Sequence, residues 1–225
     1  MFLYEIHCHT KEGSKCASTP AADYIKFYKE LGYQGIFITD HFFNGNTCVD
    51  KTLPWSEQVE EFCKGYENAK AEGEKQDIDV YFGFEYSIHW CHLLVFGLDK
   101  KWLLDNPQVM DWKPITFLKK VREEGALVIH AHPFRDGVEH VELFPNFIDA
   151  VEIFNASQPD EANRRAKFYA DMLSLPTTSG SDIHHINQNL LSALCFDHRL
   201  TDIKDFINSV KGGKTQIKEI EVSKD

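Results

Sequence analysis

A chain of 225 residues, 43% hydrophobic and 26% charged, suits one large domain with a full core. Its formal net charge of −11 repels a long polyanion such as duplex DNA and favours a small phosphorylated substrate, although bound divalent ions would add positive charge locally. No uncharged apolar run approaches the roughly 18 residues of a membrane span, and Met1-Phe2-Leu3-Tyr4-Glu5 lacks the basic start of a secretory leader, so no membrane partner is expected and the cytoplasm is the expected compartment.

The first apolar run predicts a strand over Leu3–His9 that ends on His7-Cys8-His9. A helix is expected over Pro20–Leu31, with Thr19 as a capping hydroxyl before a first-turn proline and Gly32 as its left-handed terminus. The strand Gly35–Asp40 leads to Thr39-Asp40-His41, and the helix Ser56–Glu74 separates it from a strand over Asp79–Glu85. That strand closes on Gly83-Phe84-Glu85, where an acid follows an apolar run and is costly to bury unless a cation or hydrogen bonds satisfy it. Next come the strand His92–Gly97, the helix Ile115–Glu124 closed by Gly125, and the strand Ala126–His130, which opens into His130-Ala131-His132-Pro133. A strand over Ala150–Phe154, a helix over Glu161–Leu173 and a strand over Thr177–Ser181 follow, the last running into Gly180-Ser181-Asp182-Ile183-His184. A weaker strand near Ala193–Phe196 and a helix over Ile203–Val210 complete the pass. The six cysteines contain no Cys-x-x-Cys pair, and no disulfide framework is expected.

Alternation of strands and helices predicts parallel pairing with right-handed crossovers, and the absence of a linker predicts a single domain over 1–225. A strand sends residues i and i+2 to one face, so both imidazoles of His-x-His can meet one ion. With 11 histidines, about half a His-x-His is expected by chance, and two occur; the weight lies in their placement at strand ends. In a β/α barrel the carboxyl ends of the strands share one pocket, which brings His7 and His184 within reach of each other.

The five ordered motifs His7-Cys8-His9-Thr10, Ile38-Thr39-Asp40-His41, Gly83-Phe84-Glu85, Ala131-His132-Pro133 and Gly180-Ser181-Asp182-Ile183-His184 resemble the PHP phosphoesterases, named for DNA polymerases and histidinol phosphatases. The resemblance runs from the first strand to His184, with a further family histidine matching His92. It implies a distorted seven-stranded β/α barrel of TIM-like type and two or three divalent ions, zinc, iron or manganese. By the same resemblance His7, His9, Glu85 and Asp182 would bind one ion, Glu85 would bridge to a second held also by His92 and His132, and His41 and His184 would serve a third. The chain departs from the family where most members place an aspartate or histidine after the first motif, because Lys15 and then Cys16 stand there. A protonated lysine has no lone pair, so either Cys16 ligates as a thiolate, favouring zinc or iron, or Lys15 itself supplies the third positive charge to a substrate phosphate.

The expected chemistry is hydrolysis of a phosphate ester, a monoester of a histidinol-phosphate-like or nucleotide-like metabolite, with hydroxide supplied by the Glu85-bridged ions. Asp182 and His184 are the candidate catalytic residues, His184 or water protonating the leaving alkoxide. Arg135, three residues after His132, is the first candidate phosphate contact, with a plain surface arginine as its alternative; Arg164 and Arg165 are weaker candidates. His130 reads as core or as support for the site, and His89 as an exposed strand-start residue or a substrate contact. A nuclease or phosphodiesterase acting on oligonucleotides is a second class, in which Phe42, Phe43 and Trp90 would stack a base, but no basic groove accompanies them. A non-catalytic PHP module is a third class, opposed by eight of the nine expected ligand positions being kept. The substrate and the oligomeric state are not legible.

Overall fold

Nine strands and six helices succeed one another over residues 1–222, the part of the chain that the computed structural model describes. They are β1 (Phe2–Cys8), α1 (Ala21–Glu30), β2 (Gly35–Ile38), α2 (Trp55–Gln76), β3 (Asp79–Ile88), β4 (Cys91–Phe96), α3 (Lys100–Asp105), α4 (Pro114–Glu123), β5 (Leu127–Ala131), β6 (Ala150–Asn155), α5 (Asp160–Leu173), β7 (Thr177–Gly180), β8 (Leu190–Phe196), α6 (Ile203–Lys211) and β9 (Gln216–Glu221). All strands belong to one sheet in the order β7-β6-β5-β4-β3-β2-β1-β8-β9. Its functional end closes where His9 N–H donates to the Ile183 carbonyl at 3.0 Å and Ile183 N–H to that of His7 at 3.2 Å. The sheet is therefore a nearly closed barrel, with nine strands where seven were expected.

Pairing is parallel between β1 and β2, β2 and β3, β5 and β6, and β6 and β7, but antiparallel on both sides of β4 and at β8 and β9. Uniform parallel pairing fails at β4 for a simple reason. Only His89 and Trp90 separate it from β3, and a parallel return needs a crossover of about a dozen residues. β9 escaped sequence reading because Gln-Ile-Lys-Glu-Ile-Glu lies on an exposed edge and carries little apolar signal.

Strands on every side of the barrel contribute to one inner cluster, including Tyr4, Phe37, Phe96, Leu127 and Ile129, and α6 closes it with Phe206, whose ring centroid is 4.3 Å from that of Phe37. Helices cover the outer faces through amphipathic stripes such as Ala21, Tyr24, Ile25 and Tyr28 of α1, the i, i+3, i+4, i+7 pattern of a one-sided helix. Thr19 does not cap α1. Its Oγ1 accepts from Ile186 N–H, and the Glu12 carboxylate instead takes the free Ala21 N–H at 3.0 Å. Gly32 and Gly125 have the expected left-handed backbone, φ +79° and +88°. All six cysteines are free, and no described helix is long and apolar enough to cross a membrane.

α2 presses directly on the loops that carry the motifs. A Cβ at Gly65 would collide with Thr10 Oγ1 and lie 2.8 Å from Asp40 Oδ2. Alanine gains about 1 kcal/mol of helix propensity over glycine, whereas overpacking costs about 1–3 kcal/mol and here also disturbs a buried hydrogen bond. Gly65→Ala should therefore lower the urea midpoint of unfolding; an unchanged or higher midpoint would mean that the helix can back away freely.

Candidate metal centre

A bulge and an isolated bridge aim the first ligands. The register of β1 against β2 shifts between Glu5 and Cys8, which turns His7 toward the same side as His9 while Ile6 stays in the inner cluster. An isolated parallel bridge sets His41 beside Glu85, and the β3–β4 ladder puts Leu94 opposite Glu85, so His92, two residues back, shares its face. β4 in turn sets His92 opposite Ala131, the residue before His132. Asp182 and His184 arrive from the turn after β7. His132 and Asp182 hold left-handed backbone, φ +26° and +52°, a strain of about 1–3 kcal/mol each for non-glycine residues.

Glu85 is the hub. Its Oε1 lies 2.8 Å from His92 Nδ1, 3.2 Å from His132 Nε2 and 3.5 Å from His7 Nε2, and its Oε2 lies 2.6 Å from His41 Nδ1 and 3.7 Å from His9 Nε2. Asp182 Oδ1 is 3.4 Å from His7 Nε2 and 3.3 Å from His9 Nε2. Three triplets, His7–His9–Asp182, His7–Glu85–His132 and His9–His41–His184, have donor atoms within 4.8 Å of one another. Two donors on a single zinc-like ion lie at most about 4.6 Å apart, so small adjustments suffice. His7 Nε2, His9 Nε2, His41 Nδ1, His92 Nδ1 and Glu85 Oε2 are buried without a hydrogen bond, although each has a carboxylate or imidazole close by. Buried polar atoms are paired about nine times in ten, so a concentration of orphans with converging lone pairs fits cations between them.

Burial alone would raise the Glu85 and Asp182 carboxyls; the imidazoles of His92 and His41 hold the first well below the usual range, and His7 and His9 do the same for the second. Burial works against charge on His7, but Asp182 and Glu152 outweigh it and push that ring up, while burial and His41 push His9 down.

Three further buried acids hold the ligands without facing the cavity. Glu152 Oε1 accepts from His7 Nδ1–H at 2.9 Å, which leaves His7 Nε2 as the lone pair on the site side, and its Oε2 accepts from His132 N–H and Asn155 Nδ2–H, each at 2.9 Å. Asp40 accepts from Thr10 N–H, Thr10 Oγ1–H and Ser14 Oγ–H, and Ser14 Oγ in turn stands 3.1 Å from His9 Nδ1 and accepts from His41 N–H. Glu5 accepts from the backbone N–H of His7 and Ser181 and from Tyr28 Oη–H, tying β1 to the turn after β7; burial pushes its carboxyl up to about 7. Sequence reasoning missed Glu5 and Glu152, although the signal that singled out Glu85, an acid within an apolar strand, was present at both.

A cavity of about 370 Å³ opens above the cluster, lined by Cys16, His41, Asn46, Glu85, Ser87, His92, His132, Arg135, Asp182 and His184. Arg135 reaches it with a buried Nε that has no partner. Cys16 sits at its rim, Sγ 3.2 Å from His41 Nε2; burial works against its ionisation, but His184 and His41 outweigh it and bring the thiol down to about 6. Lys15, the alternative to Cys16 as a positive charge for a substrate phosphate, is exposed and is not among the residues that line the cavity. Arg164 and Arg165 are also outside it. Their side chains are 72% and 59% exposed and pair with Glu161 at 2.7 and 2.8 Å, because i+3 and i+4 spacing puts all three on one solvent-facing stripe of α5. Phe42 and Phe43 are core residues, which removes them as base-stacking groups, and Trp90 is 44% exposed at the β3–β4 turn. His130 is buried beside Cys91 and Tyr169, and His89 is exposed beside Glu142.

The Glu152 contacts yield a prediction. Glu152→Gln keeps the volume but offers an amide N–H₂ to groups that already donate, so His7 loses its fixed tautomer and metal affinity should fall by about 10–100-fold with the fold retained. Chelator competition followed by elemental analysis measures this, and wild-type retention would remove Glu152 from the positioning of His7.

The PHP domain family model matches residues 5–209. In structure the chain is similar to a two-domain protein from Bacteroides vulgatus that contains a predicted PHP-like metal-dependent phosphoesterase, with a TM-score of 0.72 and 13% identity over 96% of this chain. The chain spans 64% of that protein's length. It is also similar to PsfC from Pseudomonas syringae (TM-score 0.60, 17% identity, 99% of this chain and 93% of that one) and to a protein from Bifidobacterium adolescentis described as a metal-dependent phosphoesterase (0.57, 15%, 81% and 87%). At these identities the structural likenesses speak to the fold. No curated protein matches the sequence. The family match is independent of those likenesses and passes through every cluster that meets at the cavity, and on it the chain belongs to the PHP domain family.

Proposed function

We propose that the chain is a metal-dependent phosphoesterase hydrolysing a phosphate monoester of a small metabolite. The observation that carries the reading is the unpartnered Arg135 guanidinium facing, across one cavity, a cluster of imidazoles and carboxylates whose lone pairs are otherwise unsatisfied. His7, His9, Glu85 and Asp182 would hold one ion, Glu85, His132 and His92 a second, and His41 and His184 part of a third. When bound, such ions lower the pKa of water and neutralise charge on the phosphoryl oxygens during in-line displacement.

The chain's own groups supply position and protons. Arg135 gives the phosphate a charged, two-pronged contact. Asp182, fixed by its left-handed backbone and by Asn155 Nδ2–H at 3.3 Å, accepts the proton of the attacking water. His184 Nδ1 stands 2.9 Å from the Asp182 carbonyl and donates to it, which presents Nε2 to the cavity for an ion or, protonated, for the leaving alkoxide. A pocket of about 370 Å³ at the low end of small-molecule sites suits a compact metabolite, and the net charge of −11 together with the burial of Phe42 and Phe43 argues against an oligonucleotide track. Eight family ligand positions gathered at one cavity oppose a purely structural module.

A screen of phosphate mono- and diesters with added manganese, zinc or iron tests the reading, and preference for diesters or oligonucleotides would replace it with the phosphodiesterase alternative. Glu85→Gln and Asp182→Asn should each abolish hydrolysis in a folded protein; activity within about threefold of wild type, a barrier change below about 1 kcal/mol, would contradict the roles assigned. Arg135→Ala should lower kcat/KM by about tenfold to a hundredfold, the scale of one lost charged contact, and unchanged kinetics would return Arg135 to an ordinary surface role.

A further inference from the structure

The three donor triplets differ in charge. Two contain a carboxylate, Asp182 or Glu85, whereas His9–His41–His184 contains none. Three neutral imidazoles around a divalent ion leave its charge uncompensated, and the rings are crowded there, His9 lying 4.4 Å from both His41 and His184 between centroids. His9 Nε2 turns toward Asp182 Oδ1 at 3.3 Å and His41 Nδ1 toward Glu85 Oε2 at 2.6 Å, which leaves His41 Nε2 on the side of the cavity rim. On the Nε2 side of His41 the added donor is sulfur, since Cys16 Sγ lies 3.2 Å from that nitrogen on the rim of the same cavity.

The loop that carries Cys16 is tied to the residues it would join. Ser14 Oγ accepts from His41 N–H and donates to Asp40, Lys15 N–H donates to the Asn46 carbonyl, and Ser18 N–H donates to the His184 carbonyl at 2.9 Å. Cys16 is thereby held between the segments of His41 and His184 before any ion arrives. Lys15 faces solvent beside it and has no lone pair to offer when protonated. Cys16 and Cys48 are both free thiols.

We propose that Cys16 is a metal ligand, completing with His41 and His184 a thiophilic site of two nitrogens and one sulfur that takes zinc or ferrous iron in preference to magnesium or calcium. Three such donors with one position left open match a tetrahedral zinc site, while magnesium and calcium prefer oxygen ligands. The sulfur supplies the anionic charge that the other two triplets obtain from carboxylates. The proposal rests on the metalloenzyme reading but concerns a separate position, so the two can fail separately.

The test uses the full chain stripped of metal and reconstituted with cobalt(II), which reports a sulfur ligand as a thiolate-to-cobalt charge-transfer band in the near ultraviolet. Wild type should show that band, and Cys16→Ser should lose it. With zinc, Cys16→Ala should lower the metal content by about one ion per chain while the Glu85 cluster stays loaded, Cys16→Asp should restore the count without the band, and Lys15→Ala should leave both unchanged. Cobalt bound at the Glu85 cluster with no thiolate band, or an unchanged zinc count in Cys16→Ala, overturns the proposal and leaves the phosphoesterase reading standing. Failure of wild type to bind any ion overturns both.

Discussion

Placing the Glu85 carboxylate at the end of an apolar strand, 1% exposed and above a core of aromatic and aliphatic side chains, is the constraint on which the rest of the structure depends. An ionised carboxylate in such surroundings is strongly disfavoured unless opposite charge and hydrogen-bond donors surround it. The chain answers with imidazoles drawn from four places: the end of β1, the turn after β2, β4 and the turn after β5. Each brings a ring nitrogen whose own orientation must also be fixed. Those nitrogens are brought to the carboxylate by strand register, so the barrel and the site are one solution to one problem.

The outer acids complete that solution. Glu152, Asp40 and Glu5 are buried and accept nine hydrogen bonds between them, several from the ligand rings or from the backbone of ligand residues. Such contacts set which nitrogen of a histidine keeps its lone pair, and they are worth more in a low-dielectric interior than at the surface. They also explain why small residues stand where they do. A Cβ at Gly180 would meet His7 and lie 2.6 Å from Glu152 Oε1, so glycine there is required by the acid–imidazole contact more than by turn geometry.

Departures from regular structure concentrate at this end of the barrel. The bulges in β1 and β6, the left-handed His132 and Asp182, and the two-residue β3–β4 turn all lie beside the ligands, whereas the opposite end is ordinary aromatic packing around Phe206. The surrounding fold holds these strained positions in place, so the donors converge in the folded chain itself. The rim differs in kind. Arg135 and Cys16 come from loops and line the cavity from outside the sheet.

The sequence by itself carried most of the element types, the ordered ligand motifs and the departure at Lys15-Cys16, because hydrophobic periodicity and motif spacing are local properties of the chain; the barrel was implied by the family that those motifs resemble. The cost of burying an acid was also legible, and applied at Glu5 and Glu152 as it was at Glu85 it would have pointed to the outer acids. Only the tertiary structure decided the rest. The reversal of β4 followed from a turn too short for a crossover, and β9 from pairing along an edge that its own polar residues do not announce. Lys15, Arg164 and Arg135 are all basic residues near motifs, but which of them reaches the cavity depends on backbone direction and on partners such as Glu161, which are contacts made after folding. The meeting of Cys16 with His41 was decided in the same way, by hydrogen bonds between loops far apart in sequence.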